Sequence, residues 1–117
     1  MVKRILVIDD DFDDLSSVKN ILEKEGYHVV GATNGAQGLD ALEEDGFDCI
    51  LLDIRMPTLS GYDLLRILRE RLNHKVPMIY VTIVPRKEVD MSDIDGFVQK
   101  PIIEKKLLTE IKKVVKK

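Results

Sequence analysis

Four short, largely apolar runs in this chain each end in a side chain that can do chemistry. Ile5-Leu6-Val7-Ile8 leads into Asp9-Asp10, and Cys49-Ile50-Leu51-Leu52 into Asp53. Met78-Ile79-Tyr80-Val81 leads into Thr82, and Gly96-Phe97-Val98-Gln99 into Lys100. Gathered in one place, three carboxylates repel. At about 5 Å and an effective dielectric of about 20, each pair costs roughly 3 kcal/mol. They stay ionised together only beside a cation; otherwise a pKa rises. The donors are all oxygens, with no histidine or thiolate nearby. That favours a hard cation, and few protein ligands favour Mg²⁺ retaining several waters. Lys100 is a mobile point charge suited to a phosphoryl group, and Thr82 offers a hydroxyl donor. Carboxylate, Mg²⁺, lysine and hydroxyl together describe transfer of a phosphoryl group onto an aspartate. Taken singly, each acid reads as a helix cap and Lys100 as its ion-pair partner. All of them falling at the ends of such runs favours a shared site.

The elements that would position them follow from the same runs. An unbroken apolar stretch bounded by turn residues reads as a strand buried on both faces, which belongs to a parallel sheet covered by helices. Between the runs lie helical spacings. Leu15, Val18, Ile21 and Leu22 share one face, and Gly26 ends that helix. Asp13 and Asp14 fall in its first turn, where the helix dipole favours negative charge, and need no further role. Residues 27–32 form a less apolar strand. Asn34 caps a second helix with Ala36, Leu39 and Leu42 inward and Gly38 as a weak point. Ser60-Gly61 opens a third helix with Leu64, Leu65, Ile67, Leu68 and Leu72 inward and Arg66, Arg69, Glu70 and Arg71 solvated. Only residues 83–95 separate the fourth strand from the fifth, and they contain Pro85 and a weak apolar pattern. One or two irregular helical turns are expected there. A last helix places Ile103, Leu107, Leu108, Ile111, Val114 and Val115 inward.

Strand–helix alternation implies an α/β fold: a five-stranded, doubly wound parallel sheet in the order 2-1-3-4-5, with helices on both faces. The first and third strands are then neighbours at the switch point, where ligands bind outside the carboxyl ends. Asp9, Asp10 and Asp53 converge there, and Thr82 and Lys100 line the rim.

The 117 residues suffice for one domain, 1–117, with one core. The charge balance, 18 basic against 21 acidic residues, gives no reason to expect nucleic acid or an anionic membrane as a direct partner. Met1-Val2-Lys3-Arg4 leads into only four apolar residues before the acids, so no signal peptide is expected, and the longest apolar stretch, 76–84, is too short to span a bilayer. The lone Cys49 reads as a small core hydrophobe in a reducing, cytoplasmic setting.

On these residues the chain resembles the receiver domains of two-component response regulators, over essentially its whole length. Asp9-Asp10 resembles that family's acidic pair. Asp53 with Met56-Pro57 and Gly61 resembles its phosphoacceptor motif. Thr82 resembles the switch hydroxyl, Phe97 the switch aromatic, and Lys100-Pro101 the Lys-Pro pair. The resemblance implies Asp53 as phosphoacceptor. It implies Mg²⁺ held by Asp10, Asp53 and the backbone carbonyl of Arg55, with Asp9 acting mainly through water. Lys100 and Thr82 would hold the phosphoryl oxygens. It also implies a cis Lys100–Pro101 bond and no enzymatic activity on a separate substrate. A sensor histidine kinase or phosphotransfer protein would be the donor, and a downstream protein the target. A stand-alone switch without an output domain is the expectation. A phosphorylation-independent pseudo-receiver is the alternative, and a small Mg²⁺-dependent phosphohydrolase a weaker one, since the loops are too short for a lid.

Three departures from the family pattern stand out. Ile83 is bulky where the family has a small residue, and is expected to crowd the phosphoryl pocket and stand between Thr82 and Phe97. The 83–95 segment is short, with few packed contacts expected. Ile102-Ile103 leaves the last helix without a side-chain cap.

Overall fold

A computed structural model of the chain describes residues 2–44, 46–73 and 75–115. Five parallel strands are hydrogen-bonded in the order expected: β2 (His28–Ala32), β1 (Arg4–Ile8), β3 (Cys49–Leu52), β4 (Met78–Thr82) and β5 (Gly96–Gln99). β1, β3 and β4 are central and buried almost throughout, as their continuous apolar runs require. Cys49 is fully buried among them, and burial pushes its thiol up to about 12. It is a packing residue.

Two hydrophobic layers cover the sheet. One lies under α1 (Phe12–Lys24) and α4 (Glu104–Val114), built on Leu15, Val18, Leu22, Leu107, Leu108 and Ile111. The other lies under α2 (Gly35–Ala41) and α3 (Gly61–Arg71). The caps are local: Asp11, Asn34 and Ser60 each accept the backbone N–H three residues on. Ile103, by contrast, precedes α4 with no side-chain cap, as expected.

The faces of two helices differ from the periodicity reading. In α2 the buried positions are Gly35 and Gly38, while Ala36 is exposed and Leu39 and Leu42 are half-buried. A Cβ on Gly38 would come within 2.6 Å of Ile8 Cδ1, so this glycine lies directly against the Ile8 side chain of β1. In α4 Ile103 is exposed rather than inward.

Between β4 and β5 the chain makes only a 3-10 turn, Arg86–Glu88, in line with the irregular segment expected. Few contacts were expected there; the structure instead pins the segment down. Val84 and Val89 are buried, and Met91 and Ile94 pack on the same layer. The main fastening is Arg69, read from the sequence as solvated but in fact buried. Its guanidinium donates to the carbonyls of Val76 and Asp93 and to Asp95 Oδ2, and the same Asp95 oxygen accepts the Met78 N–H. A planar fork of donors suits such a divided set of oxygens. Tyr62 Oη adds a contact by accepting the Asp90 N–H.

Arg69→Ala should therefore cost about 2 kcal/mol in urea unfolding, because it removes three charge-assisted hydrogen bonds made by one buried guanidinium. Arg66→Ala, one turn earlier on the exposed face, should stay within about 0.5 kcal/mol. Equal effects of the two would show that Arg69 is no clamp.

Candidate functional site

Strand register brings the acids together. Ile8 pairs with Leu52, so Asp9 and Asp53 leave adjacent strands at the same level. The Asp53 N–H donates to the Ile8 carbonyl and the Asp9 N–H to that of Ala32, which fixes both acids before their side chains begin. Thr82 pairs with Gln99, and the Lys100 N–H donates to the Thr82 carbonyl. The Lys100–Pro101 bond is cis, as expected.

Beyond Asp53 the chain turns sharply through Met56-Pro57 to Gly61, whose N–H donates to the Ile54 carbonyl. A Cβ at Gly61 would collide with the Asp53 carbonyl oxygen and the Ile54 backbone. Only glycine permits this return, which seats α3 beneath the site.

Asp9 and Asp53 are buried and Asp10 is exposed; one ligand oxygen from each lies within 4.8 Å of the others. Asp9 Oδ1 accepts the Asp11 N–H at 2.9 Å, and Asp53 Oδ1 accepts the Arg55 N–H at 3.3 Å. Each therefore keeps its other oxygen for the crevice. Lys100 fills that space. Its Nζ lies 2.8 Å from Asp9 Oδ2, 3.0 Å from Asp53 Oδ2 and 2.8 Å from Asp14 Oδ2. Thr82 is fully buried, and its hydroxyl oxygen accepts the Val84 N–H at 3.2 Å.

Asp9, Asp10, Asp53 and Lys100 are thus brought together, with Thr82 at the end of β4 and the Arg55 backbone on the turn after β3. Ile83 does not pack in the layer that holds Phe97. Its side chain is 55% exposed, and Val84 takes the inward position instead. Phe97 is buried on the second layer, with the Arg86 guanidinium 5.9 Å from its ring centre. Asp14 was missed. A helical side chain leans toward its helix's N-terminus, and the N-terminus of α1 faces the crevice. That lean is the signal that could have placed Asp14 beside the site.

Burial pushes Asp9 up to about 6, with the Lys100 hydrogen bond and the Asp11 N–H opposing it. Lys100 is also drawn down by burial. The hydrogen bonds that Lys100 donates to Asp14, Asp9 and Asp53 outweigh that and hold its ammonium well above the usual lysine range.

A doubly wound sheet with three acids and a lysine at its switch point defines a class, the receiver domains of two-component signalling. The chain belongs to the response regulator receiver domain family, whose sequence model matches residues 5–112. It is similar to the transcriptional regulatory protein CpxR of Escherichia coli K12, with 34% identity covering 99% of this chain and 50% of CpxR. The chain therefore spans about half the length of the curated relatives it matches. Among solved structures it is similar to a CheY-like receiver domain protein from Methanospirillum hungatei, with TM-score 0.84 and 32% identity over 97% of this chain and 93% of that one. It is also similar to the response regulator TrrA of Thermotoga maritima, solved in complex with Mg²⁺-BeF. There the TM-score is 0.87, with 30% identity over 97% of this chain and 99% of that one. No helix among the described residues is long and apolar enough to cross a membrane.

The raised value at Asp9 has a testable sign. A carboxyl whose folded value, about 6, lies above the ordinary 3.8 stabilises the fold below 3.8 and loses that contribution as pH rises through 6. Without divalent cation, the stability of Asp9→Asn relative to wild type should therefore increase from about pH 4 to about pH 7 and level off above that. Urea midpoints across that range check it, and a flat difference would contradict the burial argument.

Proposed function

We propose that this receiver accepts a phosphoryl group on Asp53 and that the resulting change in charge switches its binding to a partner protein. The observation that carries this reading is the Lys100 ammonium held among Asp9, Asp53 and Asp14 at the end of the central strands. A buried lysine there is a counter-ion waiting for a group of greater negative charge. A phosphoryl group brings about −1.5 to −2 charges and strong acceptor oxygens.

The three clustered carboxylates fit a hard divalent cation, since their oxygens lie within 4.8 Å of one another and the donor set is all oxygen. In this reading Asp10, Asp53 and the Arg55 carbonyl would hold Mg²⁺, with Asp9 acting through water. Bound there, the cation would offset charge on Asp53 and on the entering phosphoryl oxygens.

The chain's own residues do the rest. A carboxylate oxygen of Asp53 attacks the phosphorus, a new P–O bond forms, and the bond from phosphorus to the donor's imidazole nitrogen breaks. The Arg55 N–H occupies Asp53 Oδ1, so the oxygen that attacks is Oδ2, freed as Lys100 shifts to the phosphoryl group. Lys100 exchanges a carboxylate for a phosphoryl oxygen. Thr82 turns its hydroxyl from the Val84 N–H toward the new oxygens. The phosphoryl donor is a sensor histidine kinase or phosphotransfer protein, and the output is contact with a downstream protein. The Mg²⁺-BeF complex of TrrA supports the reading by likeness.

Incubation with acetyl phosphate and Mg²⁺ should add one phosphoryl group to the intact mass, and Asp53→Ala should abolish the gain. Mg²⁺ should also raise the Tm of the wild type through linkage, and Asp10→Ala should lose most of that shift. No mass gain in the wild type would leave a phosphorylation-independent binding module. An unchanged Mg²⁺ shift in Asp10→Ala would mean the cation binds elsewhere.

A further inference from the structure

Asp14 touches the site without belonging to the cluster suited to a cation. Its Oδ2 is as close to Lys100 Nζ as Asp9 Oδ2 is, and closer than Asp53 Oδ2. It stands apart in two ways. Its side chain is 35% exposed, against 4% for Asp9 and 6% for Asp53, and the clustered carboxylates are Asp9, Asp10 and Asp53 alone. The backbone around it is fixed, because the cap residue Asp11 accepts the Asp14 N–H at 3.0 Å.

A divalent cation at Asp9, Asp10 and Asp53 would weaken two of the three ion pairs that hold Lys100, by taking their oxygens and by repelling the ammonium. A lysine on a flexible four-carbon stem then turns to solvent unless another anion retains it. We propose that Asp14 is a positioning residue for Lys100, a carboxylate outside the cation's ligand set that keeps the ammonium at the crevice when the cation enters. This rests on the phosphoacceptor reading of the site. In the resting crevice Asp14 is one of three anchors. With the cation in place it is the principal one, and it delivers Lys100 to the phosphoryl oxygen from the side of α1.

The competing explanation is that Asp14 only complements the helix dipole. Asp13 sits in the same first turn, is exposed, and is not among the carboxylates ion-paired with Lys100, so it is the natural control. The test follows the Lys100 ammonium by NMR in the full chain, measuring proton exchange with water with and without Mg²⁺. In Asp14→Asn, exchange should quicken about threefold with Mg²⁺, and less without it, the scale of a half-exposed ion pair. Asp14→Glu should restore the wild-type rate, and Asp13→Asn should leave it unchanged. Phosphorylation by acetyl phosphate should slow in Asp14→Asn and recover in Asp14→Glu. Unchanged Lys100 exchange in Asp14→Asn, an increase no larger with Mg²⁺, or the same increase in Asp13→Asn would each overturn the assignment. Faster phosphorylation of Asp14→Asn would overturn it too. A wild type that gains no phosphoryl mass overturns the phosphoacceptor reading instead. A normally phosphorylated wild type with unchanged exchange in Asp14→Asn removes only the role of Asp14.

Discussion

The crevice holds together because one ammonium lies among several carboxylates. Asp9 and Asp53 follow adjacent buried strands at the same level, and neither can move without breaking sheet hydrogen bonds. Their charges would drive the strand ends apart if nothing intervened. Lys100 reaches between them from β5, and the protein thereby carries its own counter-ion. The raised value at Asp9 is the remaining sign of an imperfect balance: burial there outweighs the help that Lys100 gives.

The surrounding structure holds those strand ends rigidly. The Asp53 and Asp9 backbones are tied to Ile8 and Ala32, and Lys100 to Thr82, so each functional residue is placed by a neighbouring strand. Gly61 brings the chain back under Asp53 at a separation no side chain would allow. Two apolar layers clamp the sheet from both sides. What stays free to move is side-chain torsion at Lys100 and Thr82, which is what a charge-driven switch needs.

Much of this was legible in the sequence. Continuous apolar runs identify buried parallel strands, alternation with helical spacing sets the sheet order, and the order places Asp9, Asp10, Asp53 and Lys100 in one crevice. Periodicity failed where close approach decides the face. Gly38 looks like a weak point in a helix, yet it is the contact with Ile8. Arg69 belongs to a charged stretch and was read as solvated, because the carbonyls it serves lie on distant segments with no pattern of their own. Ile83 and Val84 could not be told apart, since an irregular turn has no period to assign inward and outward. Asp14 had a sufficient local explanation in the helix dipole, and that hid its tertiary contact with Lys100.

The link between β4 and β5 has a consequence for how this fold can change over time. Its far end is riveted by Arg69 through Asp93 and Asp95, while residues 85–88 at its near end are all exposed. Four apolar side chains, Val84, Val89, Met91 and Ile94, do the covering without a regular helix. Length could therefore be inserted or removed at the exposed turn without disturbing either the rivet or the acidic crevice. The exposed turn is a place where new surface side chains could be carried at small cost to the sheet.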